Sequence, residues 1–189
     1  MAVFSRTINV EMDWLGESSF EIRGTLDDHV HSLAARMLVG FPDYVVRDAS
    51  AEITRMPYPG FCTGAVDVLP RLIGERIGRG FRKRVGEVVG GAESCNHLHT
   101  LINDMAASAF QMNYVAAKRH PEAEARMREL DNDEPRKRQM VLKWMPQLRN
   151  TCYVFSEASD KLFQPAHETE AADEAAEESE SGVNDGKVL

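Results

Sequence analysis

The residues best equipped for chemistry lie in two short stretches, "PYPGFC" at 57–62 and "GGAESCNHLH" at 90–99. Cys95 falls near the start of the clearest helical pattern in the chain. There, backbone donors without partners and the helix dipole favour a thiolate. His97 offers a base that works near neutral pH, Tyr58 a phenol that donates or accepts, and Arg47 a planar cation for developing negative charge. Together Tyr58, His97, Arg47 and Cys95 suit acid–base chemistry of the lyase or isomerase kind on a small organic molecule. Asp48, Cys62 and Gln111 are the expected substrate contacts. The plainer readings stand beside these: a buried free cysteine is a common small core residue, and Arg47 with Asp48 makes an ordinary ion pair on a strand. Since the two are adjacent on a strand, one is expected to look inward and one to solvent.

An alternative for the same residues is a metal site of Cys62, Cys95 and His97, joined by Asp48 or His99, taking zinc or iron. It would serve a metal-binding, iron–sulfur or sulfur-handling scaffold. The spacing gives little support, because there is no C-x-x-C pair and no His pair on one helical face. "GERIGRG" lacks the strand–turn–helix setting of a dinucleotide loop, so no NAD, FAD or ATP is expected.

The elements that must position these groups follow from periodicity. Alternation over 7–11 and 19–26 predicts strands, and 29–39 and 43–53 read as two more, giving an antiparallel sheet of about four strands with one wet face. After Pro59 the period changes. A helix capped by Thr63 is expected, broken at Pro70, then one over 79–89 stopped by Gly90 and Gly91. Leu98, Leu101, Ile102, Met105, Ala109 and Met112 share one side of a helix over about 94–117. Pro121 and Pro135 open two more, over 121–130 and 135–162, the last bent near Pro146. The fold class is α+β, a sheet followed by and packed against a helical C-terminal half.

The chain has 189 residues, 43% of them hydrophobic, enough for one core. A single domain is expected over 1–165, with 166–189 a disordered acidic tail, since that segment has almost nothing apolar to bury. Of the formal charge of −8, residues 168–189 supply eight acids against one lysine. The remainder is nearly neutral, which argues against duplex nucleic acid as a partner. The cluster Arg79, Arg82, Lys83 and Arg84 is read as a solvated helix face beside Glu75 and Glu87. No apolar run reaches membrane-spanning length, and the first residues do not resemble a secretory leader. Three cysteines are too few for a secreted disulfide scaffold. The expectation is a cytoplasmic protein with free thiols and a small-molecule substrate, with a homo-oligomer left open.

The stretches "VVRDASAEITRMPYPGFC", "RLIGERIGRGFRKRV" and "GGAESCNHLHTLINDMAASAFQ" resemble the bacterial family called domain of unknown function 2889, over roughly residues 5–120. That resemblance picks out Arg47, Asp48, Tyr58, Pro59, Cys62, Gly78, Gly80, Cys95, His97, Leu98 and Gln111. It also covers Gly24, Leu26 and Asp28 in "GTLDD". His99 stands where an acidic residue is more usual, and Arg79 where a proline is common, which favours His97 over His99. The resemblance implies positions more than a reaction. Its one hint is a setting of aromatic and other small-molecule breakdown in bacteria.

Overall fold

The computed structural model of the chain describes residues 2–163. The expected acidic tail lies outside the described residues. The described residues gather into two compact units, the first ending at Ala116 and the second beginning at Ala117.

The first unit opens with four strands in sequence order, β1 (Arg6–Trp14), β2 (Ser19–Asp28), β3 (Ser32–Gly40) and β4 (Val46–Arg55), each antiparallel to the next. Alternation decides their faces. Phe20, Ile22, Leu26, Leu33, Met37 and Val39 are buried, while Glu21, Arg23, Arg36 and Asp48 on the other face pair with one another across the strands. The sequence places the four strands and the wet face, but it ends the first at 11, starts the fourth at 43 and runs the third strand through 29–31. Those last residues form the β2–β3 turn instead, because Asp28 accepts the backbone N–H groups of Val30 and His31.

The chain then passes through a single helical turn, α1 (Pro59–Cys62), and two 3₁₀ turns (Thr63–Val66 and Leu69–Leu72) before α2 (Phe81–Val89). Thr63 therefore N-caps no α-helix; it is the C-cap residue of α1. Pro59 opens α1, and Pro70, with no N–H to give, keeps the following stretch in short turns. Gly80, at φ 92°, supplies the left-handed residue that turns the chain into α2.

The apolar stripe expected over 94–117 forms two helices, α3 (Asn96–Ala109) and α4 (Gln111–Lys118), parted at Phe110. Just before the break Ser108 Oγ donates to the Asp104 carbonyl, a side-chain bond that tends to bend helices. Phe110 turns to meet Tyr44, with ring centroids 5.5 Å apart. Leu98, Leu101, Ile102 and Met105 of α3 are fully buried against the sheet.

That close seat depends on a row of small residues. The pairing aligns Val10, Gly24, Ala35 and Ala51 on neighbouring strands. A Cβ at Gly24 would lie 2.6 Å from Met105 Sδ and 2.9 Å from Leu101 Cδ1, so α3 packs onto the sheet where no side chain intervenes.

In the second unit, α5 (Pro121–Glu129) and α6 (Glu134–Trp144) follow their prolines. The helix expected to bend near Pro146 ends at Trp144, because the residue before a proline is pushed out of helical conformation; Met145 sits at φ −131°, ψ 68°. Short 3₁₀ turns continue to Phe163. Arg138 of α6 is buried and holds them, donating to the Val154 and Ser156 carbonyls and to Asp160.

The seat of α3 is testable. Gly24→Ala should lower stability by about 1–3 kcal/mol through overpacking, read as a lower urea midpoint with unchanged slope. Adding Met105→Ala should make the pair non-additive, since the second change opens the space the first one fills. A Gly24→Ala midpoint equal to wild type would show that Met105 moves aside freely.

Candidate functional site

The site begins with a buried carboxylate. Asp28 ends β2, and its side chain is wholly buried. Oδ1 accepts the backbone N–H groups of Val30 at 2.8 Å and His31 at 2.7 Å, which shapes the turn. Oδ2 accepts Arg6 Nε at 2.9 Å and Nη2 at 2.7 Å, a forked pair from the first residue of β1. Arg6 and Asp28 are partners in the strand register, so the ion pair closes the end of the β1–β2 ladder. Burial alone would push the carboxyl up, but the two backbone donors, Arg6 and His31 outweigh it and hold Asp28 well below the usual carboxylate range.

The same turn delivers His31. Its Nδ1 is 3.3 Å from Asp28 Oδ1, and its ring stacks on His97, centroids 3.7 Å apart and planes 27° from parallel. With Nδ1–H toward the carboxylate, His31 Nε2 is left as an acceptor. His97 stands in the first turn of α3, half-buried, with Nδ1 3.4 Å from Cys95 Sγ. Burial lowers the His97 pKa first, and the neighbouring His31 and Arg6 lower it further, against an opposite pull from Asp28. A neutral imidazole is thereby favoured at neutral pH. Cys95 is the N-cap residue of α3, yet its side chain makes no capping bond, so the thiol faces His97. Arg6, Asp28, His31, His97 and Cys95 thus form one continuous polar chain from the edge strand to the helix.

The remaining candidates are placed elsewhere. Arg47 is exposed and paired with Asp43, while Asp48 receives Arg36 Nη1 at 2.7 Å. Neither enters the core, against the expected alternation, because β4 is irregular here. The register shifts between Leu38 and Val39, and Val46 and Ala49 are the buried residues to either side. Tyr58 is 66% exposed, and Gln111 is exposed at the start of α4. Cys62 ends α1, half-buried. Its segment is tied to that of Cys95, since Ser94 Oγ donates to the Ala65 carbonyl at 2.9 Å. His99 is turned to Asn103, whose Nδ2 is 3.1 Å from His99 Nε2.

Sequence reasoning matched Asp28 only to an early strand and passed over His31 and Arg6. The signal was present in "DHVH", a carboxylate followed three residues later by a histidine at a hairpin turn, but 29–31 had been assigned to a strand.

Among the described residues, the cluster whose ligand atoms lie within 4.8 Å of one another is Asp28, His31 and His97, and it contains neither Cys62 nor Cys95. As arranged it fits an ion poorly. Both Asp28 oxygens already accept N–H donors, and two stacked rings send their in-plane lone pairs side by side rather than toward one point.

The Asp28 clamp makes a signed prediction. A carboxyl held low in the folded state contributes stability that is complete above its unfolded value, about pH 4, and is lost as pH falls through the lower folded value. Asp28→Asn should therefore be less stable than wild type at pH 7, and the gap should narrow on acidification below about pH 4. Urea midpoints across pH 2–7 check this; a gap that stays constant would remove the linkage.

No curated protein and no solved structure matches the chain. A family model described as "Protein of unknown function (DUF2889)" matches residues 5–111, which take in the sheet, the "PYPGFC" turn, Cys95, His97 and all of α3. With more than half of its length matched, including every residue of the polar chain from Arg6 to His97, the protein belongs to the DUF2889 family.

Proposed function

We propose that this protein is a small-molecule enzyme of the lyase or isomerase type that works by acid–base chemistry at Cys95 and His97. The observation that carries the reading is the 3.4 Å contact of Cys95 Sγ with His97 Nδ1, beside a second imidazole fixed by a buried carboxylate. Of the four residues expected to act, Arg47 is engaged by Asp43 and Tyr58 stands largely in solvent. The thiol and His97 exchange a proton, and His31 positions the His97 ring through the stack while Asp28 orients His31. A neutral, half-buried imidazole beside a thiol takes or returns a proton without first shedding one. Aromatic and phenolic carbonyl compounds are the substrates to try first, on the resemblance set out above.

A second reading, a metal or iron–sulfur scaffold, has in its favour the close approach of Asp28, His31 and His97. It needs both rings to turn and Asp28 to release a donor. Stoichiometric zinc or iron in protein purified without oxygen would replace the acid–base reading.

The direct test is exchange or rearrangement of a panel of oxo acids, enols and phenolic carbonyl compounds in D₂O, followed by NMR. Turnover of a panel member should fall about 10²–10⁴-fold in His97→Ala, and less in His31→Asn, where the base remains but loses its support. Turnover undiminished in both His97→Ala and Cys95→Ala would end the proposal.

A further inference from the structure

We infer that Cys95 is a covalent nucleophile, assisted by His97, toward the β-carbon of an α,β-unsaturated carbonyl compound. The inference rests on the reading of Cys95 and His97 as the working pair and names the substrate class it would take.

The thiol is the N-cap residue of α3 but caps nothing, and its polar contact is His97 Nδ1 at 3.4 Å. It is half-buried and packs in part against the hydrophobic core, which keeps bulk water partly away. His97, favoured as the neutral ring by burial and by the neighbouring His31 and Arg6, is able to receive the thiol proton. Sulfur is polarisable, and a thiolate adds more readily to a soft conjugated carbon than oxygen nucleophiles do. The first N–H groups of α3 lie beside Cys95 without intrahelical partners, as at any helix start, and suit a developing enolate oxygen.

A thiol and one imidazole also suffice for acyl transfer, where the same ring serves the leaving group and then water. Conjugate addition asks less of the pair, a single proton carrier and no water. The thiol proton passes to His97 Nδ1, Sγ bonds to the β-carbon, and the C=C electron pair moves through the α-carbon onto the carbonyl oxygen as an enolate. The former double bond is now single and rotates. The enolate pair then re-forms C=C, the S–C bond breaks, and the proton returns from His97 to sulfur. Nothing is consumed, and the outcome is cis–trans isomerisation. His31, committed to Asp28, serves as a positioning residue and need not carry a proton.

The test uses the full chain and two probes. In the first, N-ethylmaleimide alkylation is followed by peptide mass mapping at Cys62, Cys95 and Cys152. Exposure alone predicts that Cys152, the exposed thiol, reacts first. The inference predicts that Cys95 reacts fastest in native protein, that this lead vanishes in denaturant, and that His97→Asn slows Cys95 by about tenfold or more while Cys62 and Cys152 keep their rates. In the second, dimethyl maleate is converted to dimethyl fumarate, followed by NMR, with loss of conversion in Cys95→Ser. Cys95 no faster than Cys152 in native wild type overturns the inference, and that measurement needs no variant to fold. Circular dichroism confirms the fold of each variant used. If Cys95 is selectively alkylated but no member of the substrate panel turns over, the nucleophile stands and the lyase or isomerase reading falls. If panel turnover needs His97 but survives Cys95→Ser, the nucleophile falls and the acid–base reading stands.

Discussion

The buried carboxylate of Asp28 is the constraint on which the rest of the first unit depends. A charge inside protein is tolerated only when its hydrogen-bonding capacity is filled, and here two backbone N–H groups and a forked guanidinium fill it. Each partner is recruited from a different level of structure. Arg6 comes from the strand register, so the ion pair fixes where β1 stops sliding along β2. The N–H groups of Val30 and His31 come from the turn, so the other oxygen of the same carboxylate decides how the chain reverses into β3. Replacing the carboxylate would loosen an edge strand and a turn together. The imidazole of His31 is held in place as a consequence.

The long helix supplies the other half of the site, and its position follows from the sheet. Gly24 and Ala35 leave a shallow row across the strands that Leu101 and Met105 occupy. Once the middle of α3 is seated there, its ends are determined. Its fourteen residues span about 21 Å, against about 30 Å for the nine residues of β3. The N-terminal end meets the β2–β3 turn, where His97 stacks on His31. The C-terminal end meets Tyr44 through Phe110, and Tyr44 in turn joins Phe41, Trp14 and Phe20 in a cluster of edge-on and tilted rings. One end of the helix therefore packs and the other carries polar groups, and the same small-residue row aligns both.

What was legible in the sequence tracks what is local. Four strands, their wet face and the burial of Leu98, Leu101, Ile102 and Met105 followed from periods of two and 3.6, which short windows reveal. Cys95 stood out as a candidate because helix starts have a known chemistry, and His97 because it is a base close by, but their direct contact was not foreseen. The turn at 28–31 was misread because "DDHVH" alternates acceptably as a strand, and only the fate of the Asp28 oxygens shows otherwise. Arg47 and Asp48 were misread for a related reason: alternation assumes a regular strand, and a bulge adds one residue that the pattern does not announce. His31 lies sixty-six positions from His97, so their stacking depends on the register of the sheet and the seat of α3 at once. No windowed reading of the chain contains both.

The stack itself limits what the site can do. Two imidazolium rings 3.7 Å apart would repel by about 4 kcal/mol at an effective dielectric near 20, which explains why His31 is among the causes that hold His97 low. Arg6 adds to that field from the far side of Asp28, while the carboxylate opposes it and keeps the cluster from being a purely cationic patch. The arrangement therefore does not accumulate protons. It keeps one imidazole neutral against a thiol, and it does so by geometry that the turn and the helix fix independently. A site built this way favours moving a single proton back and forth over storing charge, and that preference is the physical ground for proposing a reversible reaction at Cys95.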